Sequence, residues 1–243
     1  MVVFPYDWGL IKENPLKNLK LSKIDHSPKV RYLSLDEEKR LRQTLYKREI
    51  RLKQKRRNAS VWRKERGYTL FPEYSGDEYC DHLMLMVLLS INTGLRQGKL
   101  FHLTWNMINT SENFIIVAGD ITKNSSSRYI PLNDEAGRII QALYLSSVSK
   151  KGLVFSSKNN QPFKNVKRSW AVILKKAKIL SFRWHNLRHH FASKLVMAGV
   201  DLNTVHELLG HSEIKLTLRY AHLAPEYKIH AVKKINWINQ PKI

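Results

Sequence analysis

The run DHLMLMVLLSINTG at residues 81–94 constrains the fold more than any other stretch of this chain. It is apolar almost all round, so a helix formed by it has no face to turn to water and must be enclosed by other elements. Gly94 closes it, because glycine accepts the left-handed conformation that ends a helix. The remaining sequence supplies the enclosing elements. Ser34 and Glu37 in SLDEEKRLRQTL make a capping box that opens a helix. A short helix is expected in QGKLFHLTW, and longer ones in DEAGRIIQALYL, from near Asp134, and in KRSWAVILKKAKI. From Trp184 onward the chain reads as helical, with stops at Gly199 and Gly210. Between them, FIIVAGD, ITKN and SRYIPL are short β-rich runs separated by Gly, Asn and Ser, which predict a small antiparallel sheet. The expected class is mainly α (α+β), a helical domain with a small antiparallel β-sheet and no internal repeat.

Charge then narrows the partner. Lys and Arg number 42 against 20 Asp and Glu, a net +22 over 243 residues. Such an excess favours a polyanion, since neutralising phosphates releases condensed counterions. Nucleic acid is preferred to membrane, because no long basic amphipathic helix and no apolar run of spanning length is present. Ten basic residues and two glutamates lie between Lys47 and Arg66. That run reads equally as a phosphate-contacting helix or loop and as a solvated surface insertion. Cys80 is the only cysteine, which excludes an internal disulfide framework and a Cys-rich zinc site. A reducing compartment suits it, and the start MVVFPYDWGL lacks a secretory pattern, so a soluble cytoplasmic protein is expected.

Residues 206–220, HELLGHSEIKLTLRY, nearly spell a zinc-protease helix. That chemistry needs two histidines four apart, whereas His211 follows His206 by five residues, which places the rings about 140° apart on a helix. His185 and His189 are four apart, but Asn186 stands where a catalytic glutamate would be needed. A helix-turn-helix fits better: Leu202, Val205, Leu208 and Leu209 make an apolar stripe, Gly210 ends that helix, and Ser212 can cap a following helix through Tyr220. It leaves His211, HNLRHH and the arginine of TGLR without a purpose. Cutting a phosphodiester without a metal gives them one, for it requires a nucleophile, cations on the non-bridging oxygens and an acid for the leaving hydroxyl. Arginine is the natural clamp, always charged and forked. His185 and Arg188 are three apart on one helix, so both can address one phosphate. Leu187, Phe191, Leu195 and Ala198 would anchor that helix in the core.

TGLRQGKL (93–100), HNLRHHFAS (185–193), LLGHS (208–212) and TLRYAH (217–222) together resemble the signature boxes of the tyrosine recombinase or phage integrase family, in that family's order. The resemblance covers residues 30–235. It implies the helical tyrosine-recombinase catalytic domain, with Arg96 and Arg188 clamping phosphate and His185 assisting proton transfer. His211 would hydrogen-bond the phosphate or Tyr220. Tyr220 would be the nucleophile that forms a 3′-phosphotyrosyl bond and releases a 5′-hydroxyl. Lys123, in the hairpin TKNSSSRYIPL with Arg128 nearby, would be the general acid. The implied function is a site-specific DNA recombinase or integrase, of a phage or other mobile element, that needs neither metal, ATP nor cofactor. Its implied partner is double-stranded DNA, with a homo-oligomer (a tetramer) on DNA and a monomer when free.

Two positions depart from the family pattern. Lys99 stands where many members carry an acid, and Asn186 where Asp is common. DWGLIKENPLKNLKL (7–21) resembles the end of a core-binding domain. The expected division is therefore 1–30 as a remnant of that domain plus linker, and 31–243 as the catalytic domain with a C-terminal tail helix in AHLAPEYKIHAVKKINWI. Lys99 and the missing domain keep an alternative open, a catalytically impaired DNA-binding protein of the same fold. A metal-dependent hydrolase would use the histidines differently. A type IB topoisomerase shares the chemistry, but LLGHS and HNLRHH fit the recombinases better.

Overall fold

The computed structural model describes residues 30–74, 78–118, 127–147, 149–157, 159–224 and 232. The expectations for residues 1–29, for ITKN and Lys123, and for a tail helix beyond Ala224 (position 232 apart) lie outside the described residues. In chain order the elements are α1 (Leu35–Glu65), α2 (Leu83–Thr93), α3 (Gln97–Phe101), β1 (Ile108–Asn109), β2 (Phe114–Val117) and β3 (Arg128–Pro131). They continue with α4 (Asp134–Ser146), α5 (Lys167–Lys176), α6 (Asn186–Met197), α7 (Leu202–Leu209) and α8 (Lys215–Leu218), then a short 3-10 turn at Ala221–Leu223.

As its composition demands, α2 is central. It packs against α6, α4, α1 and α3, and Leu85, Met86, Val87, Leu89 and Ile91 are buried in it. Gly94 ends it at φ +62°. A Cβ there would stand 2.4 Å from Cδ1 of Phe191 on α6, so glycine is required both by the turn and by the close approach.

α1 opens with the expected capping box: the Ser34 hydroxyl accepts from the Glu37 amide, and the Glu37 carboxylate accepts from the Ser34 amide. Its first turns bury Leu41 and Leu45, and α1 also packs on α5. One polar chain ties four helices together. His190 on α6 meets Glu38 at 3.2 Å, Arg42 donates to Glu38 and, in a fork, to Glu135 on α4, and Asn92 on α2 also donates to Glu135. The His190 contact, with Arg42 and Lys194, holds the buried Glu38 carboxyl well below the usual carboxylate range.

The sheet is antiparallel with order β1-β2-β3. Ile115 pairs with Ile130 and faces the core, as does Val117, while Phe114 packs edge-on against Tyr129. The two-residue strand β1 is absent from the sequence reading because so short a run carries no alternation.

Three local expectations need correction. On α6 the buried positions are Leu187, Arg188, His190, Ala192, Ser193 and Val196, whereas Phe191 and Leu195 are half-buried and Ala198 is exposed. That helix is enclosed on a polar side as well as an apolar one, so a purely apolar stripe misplaces its inner face. Ser212 does not cap a helix running through Tyr220: α8 is four residues long with Ile214 at its N-cap, and Tyr220 stands beyond it at the start of the 3-10 turn. QGKLFHLTW is helical only over Gln97–Phe101, with a separate 3-10 turn at Trp105–Met107.

Candidate functional site

The ends of α2 and α7 meet the first turn of α6, and Arg188 is what joins them. Buried at 3% exposure, it donates from Nη1 to the Gly94 carbonyl at 2.8 Å and from Nη2 to the Leu209 carbonyl. Both acceptors are carbonyls freed where a helix stops at a left-handed glycine, Gly94 in one case and Gly210 in the other. The fork of the guanidinium is thus set in a fixed plane, and Leu95, buried after the Gly94 turn, sets half-buried Arg96 at the start of α3. Burial, Arg96 and Arg128 lower the Arg188 pKa to about 9. Burial is the larger cause, and the two neighbouring cations add to it.

His185 caps α6 and is exposed. Its pKa is lowered by partial enclosure and by Arg188, Arg96 and Arg219. One turn on, His189 lies edge-on to it at 4.9 Å and places Nδ1 2.6 Å from the Tyr220 hydroxyl. Burial, then His185, Arg219 and Arg188, push His189 down to about 4. The ring is therefore neutral at pH 7, and in its Nε2–H tautomer Nδ1 accepts the phenolic proton.

Tyr220 is 1% exposed, its ring set among Ala192, Val196, Val205 and Leu209. Burial raises its pKa, while Arg188 and Arg219 oppose that. It is at once a core residue and the bearer of a hydroxyl in the cationic pocket.

His211 follows Gly210. Its Nδ1 lies 2.8 Å from Oγ1 of buried Thr217, which His206 also approaches at 3.4 Å. Burial, Arg188 and Arg96 push His211 down to about 3. Arg128 on β3 reaches the same turn, donating to the Leu208 carbonyl at 3.2 Å, and a Cβ on Gly210 would stand 2.3 Å from its Nη1. The LLGHS turn needs glycine for its φ of +58°, and a side chain there would also displace the Arg128 guanidinium.

The structure thus brings Arg96, His185, Arg188, His211 and Tyr220 around one pocket, and Lys123 lies outside the described residues. It adds three side chains that the sequence reading gave no role: His189 on the Tyr220 hydroxyl, Thr217 on His211, and Arg219, which influences all three histidines. The signal for His189 was its four-residue spacing from His185. Lys99 donates to the Ala118 carbonyl at 3.2 Å, next to the end of β2, and Asn186 accepts from the Arg183 amide at 2.6 Å. Burial is the largest influence on these histidines, and every charged or imidazole neighbour that follows it lowers them further. So many cations close together give the pocket a positive potential. Among the described residues no group of three or more His, Cys, Asp and Glu side chains is placed to hold a metal ion, and no helix is long and apolar enough to cross a membrane.

Comparison with known proteins identifies the family. Residues 70–227, which carry every pocket residue described above, match the Phage integrase family. The chain is 30% identical to the integrase of Salmonella phage P22 over 172 residues, 67% of the chain and 44% of that protein. It therefore spans about half the length of the relatives it matches. The catalytic domain of bacteriophage HP1 integrase superposes with a TM-score of 0.52 at 28% identity, covering 66% of this chain and 86% of that domain. The Tn1549 transposon integrase, solved in complex with circular intermediate DNA, superposes with a TM-score of 0.54 at 23% identity, over 63% and 59%. A cationic pocket with a tyrosine at its wall, inside a match that spans most of the sequence, leads to one assignment: the chain belongs to the phage integrase family of tyrosine recombinases.

Proposed function

We propose that this chain is a site-specific DNA recombinase or integrase that cuts and rejoins double-stranded DNA through Tyr220. The observation that carries the reading is the Tyr220 hydroxyl, 2.6 Å from a neutral His189 at the edge of an arginine-lined pocket. Arg96 and Arg188 hold the non-bridging oxygens of the scissile phosphate, with His185 and His211 beside them. The phenolic oxygen attacks phosphorus and gives up its proton toward the imidazoles, forming a 3′-phosphotyrosyl bond. The P–O5′ bond breaks, and the 5′ oxygen takes a proton, for which Lys123 is the proposed donor. The ester keeps the bond energy, so attack by a second 5′-hydroxyl reverses the step without ATP. Residues 31–243 serve as the catalytic domain with a C-terminal tail helix and 1–30 as the end of a core-binding domain plus linker, acting in the cytoplasm as a tetramer on DNA and as a monomer when free. The DNA complex of the Tn1549 integrase supports the choice of partner.

One observation favours a second reading, a DNA-binding protein of this fold without chemistry: Tyr220 is 1% exposed, so its hydroxyl must emerge before it can attack. Mixing the protein with DNA from the flanks of its own gene, in chelator, and quenching with SDS separates the two. A denaturation-resistant adduct, lost in Tyr220→Phe, is expected. A salt-sensitive gel shift with no adduct would establish the second reading instead.

A further inference from the structure

The basic run between Lys47 and Arg66 is no part of the pocket. It is the far half of α1, which continues as helix to Glu65. The helix leaves the domain near Glu49, whose carboxylate takes the Cys80 amide, and Arg48, which forks onto Asp81. From Ile50 to Glu65 it extends about 24 Å at 1.5 Å per residue.

This projection is held stiff. Residues 68–74 return along one side of it, and arginines of the helix stack on the aromatic rings they bring. Arg56 lies 4.9 Å from both the Phe71 and Tyr74 rings and donates to the Tyr74 hydroxyl. Arg63 lies 4.6 Å from Phe71 and 5.6 Å from Tyr68, and Arg66 sits over Trp62, which stacks on Tyr68. Stacking leaves the guanidinium edges available as donors.

The sides of the helix not covered by this return carry Arg51, Lys55, Arg57 and Lys64, all exposed. None of these four makes an ion pair among the described residues. Residues 51–74 hold eight basic side chains against two acids, Glu65 and Glu73, and Glu65 is already beside Arg66. A solvated face needs no such imbalance and no aromatic bracing.

We propose that the far half of α1, with the segment that folds back on it, is a second DNA-binding surface. It grips the phosphates of a duplex outside the catalytic pocket, over about seven base pairs at 3.4 Å each. The inference rests on the reading of the chain as a DNA enzyme and adds to it a site that fixes how the protein sits on the duplex. Because the arm is ordered before binding, the contacts cost little conformational entropy.

The test uses the whole chain and a 40-base-pair duplex of arbitrary sequence, followed by fluorescence anisotropy across a salt series. The variant is Arg51→Gln, Lys55→Gln, Arg57→Gln and Lys64→Gln together; glutamine keeps helix propensity, and far-ultraviolet circular dichroism checks the fold. Removing four phosphate contacts is expected to make the slope of log K against log salt shallower by about 2 to 4, and to weaken binding at 100 mM salt about tenfold or more. Hydroxyl-radical footprints should shorten by about seven base pairs. A wild-type slope and footprint in the variant would overturn the arm and leave the recombinase reading intact. Failure of the wild-type chain to bind any duplex would overturn both. If the variant binds DNA normally while Trp62→Ala abolishes self-association, the surface belongs to a protein contact, which also overturns the proposal.

Discussion

Gly94→Ala should damage stability and chemistry together. The glycine sits at φ +62°, and an L-residue in that region costs about 1–2 kcal/mol. The added Cβ would stand 2.4 Å from Cδ1 of Phe191 and 3.1 Å from its Cγ and Cε1, where carbon pairs rest at about 3.5–4.0 Å. The ring must therefore move by about 1 Å, and such overpacking costs about 1–3 kcal/mol. The sum is about 2–5 kcal/mol, read as a lower urea midpoint at unchanged slope. In a Phe191→Leu background the clash is relieved and only the backbone part should remain, so the double-mutant cycle should return a coupling of about 1–3 kcal/mol. Because the Gly94 carbonyl is one of the two acceptors that orient Arg188, adduct formation should also slow. A Gly94→Ala protein within 0.5 kcal/mol of wild type would refute the reasoning, by the lower bound of about 2 kcal/mol from strain and overpacking. Equal penalties in both backgrounds would refute the clash in particular.

Other consequences follow from the same pocket. Arg188→Lys replaces a fork by a single ammonium that cannot reach both the Gly94 and Leu209 carbonyls, so one buried acceptor is stranded. A loss of about 1–3 kcal/mol in urea unfolding is expected, with adduct formation down about a hundredfold or more. Stability should also fall on acidification. His189 and His211 have folded-state pKa values lowered to about 4 and about 3, so below pH 6.5 the unfolded chain takes up protons that the folded pocket refuses. The loss grows from pH 6.5 down to about 4, at no more than about 1.4 kcal/mol per pH unit for each histidine and about half that after screening by solvent. Melting curves from pH 7 to 4.5 test this, and added sulfate should restore stability by offsetting the arginines. A flat profile would remove the histidines from the cationic pocket.

The parts of this protein legible in its sequence are those that a backbone stop or a capping group announces. Gly94 and Gly210 are readable because a left-handed turn admits little else, and each fixes its neighbour, Arg96 in one case and His211 in the other. The capping box at Ser34 is readable for the same local reason. What escaped depends on rotation rather than spacing. His189 and His190 are adjacent, yet one turns to Tyr220 and the other to Glu38, and only the packing of α6 against α2, α7 and the 3-10 turn decides which. Tyr220 lies outside its expected helix because the backbone ladder tightens there to three-residue bonds, from the Tyr220 amide to the Thr217 carbonyl and from the Leu223 amide to the Tyr220 carbonyl. The far half of α1 posed the opposite difficulty. Its length shows no apolar face to reveal a helix, but from Leu35 to Arg66 it contains neither glycine nor proline and is rich in Arg, Lys, Gln and Leu. Local propensity forms that helix, and the aromatic return holds it. A surface helix that is basic without an apolar face has no core to serve. Its sequence is accounted for by what it can bind outside the fold, as the Arg51–Lys64 variant would measure.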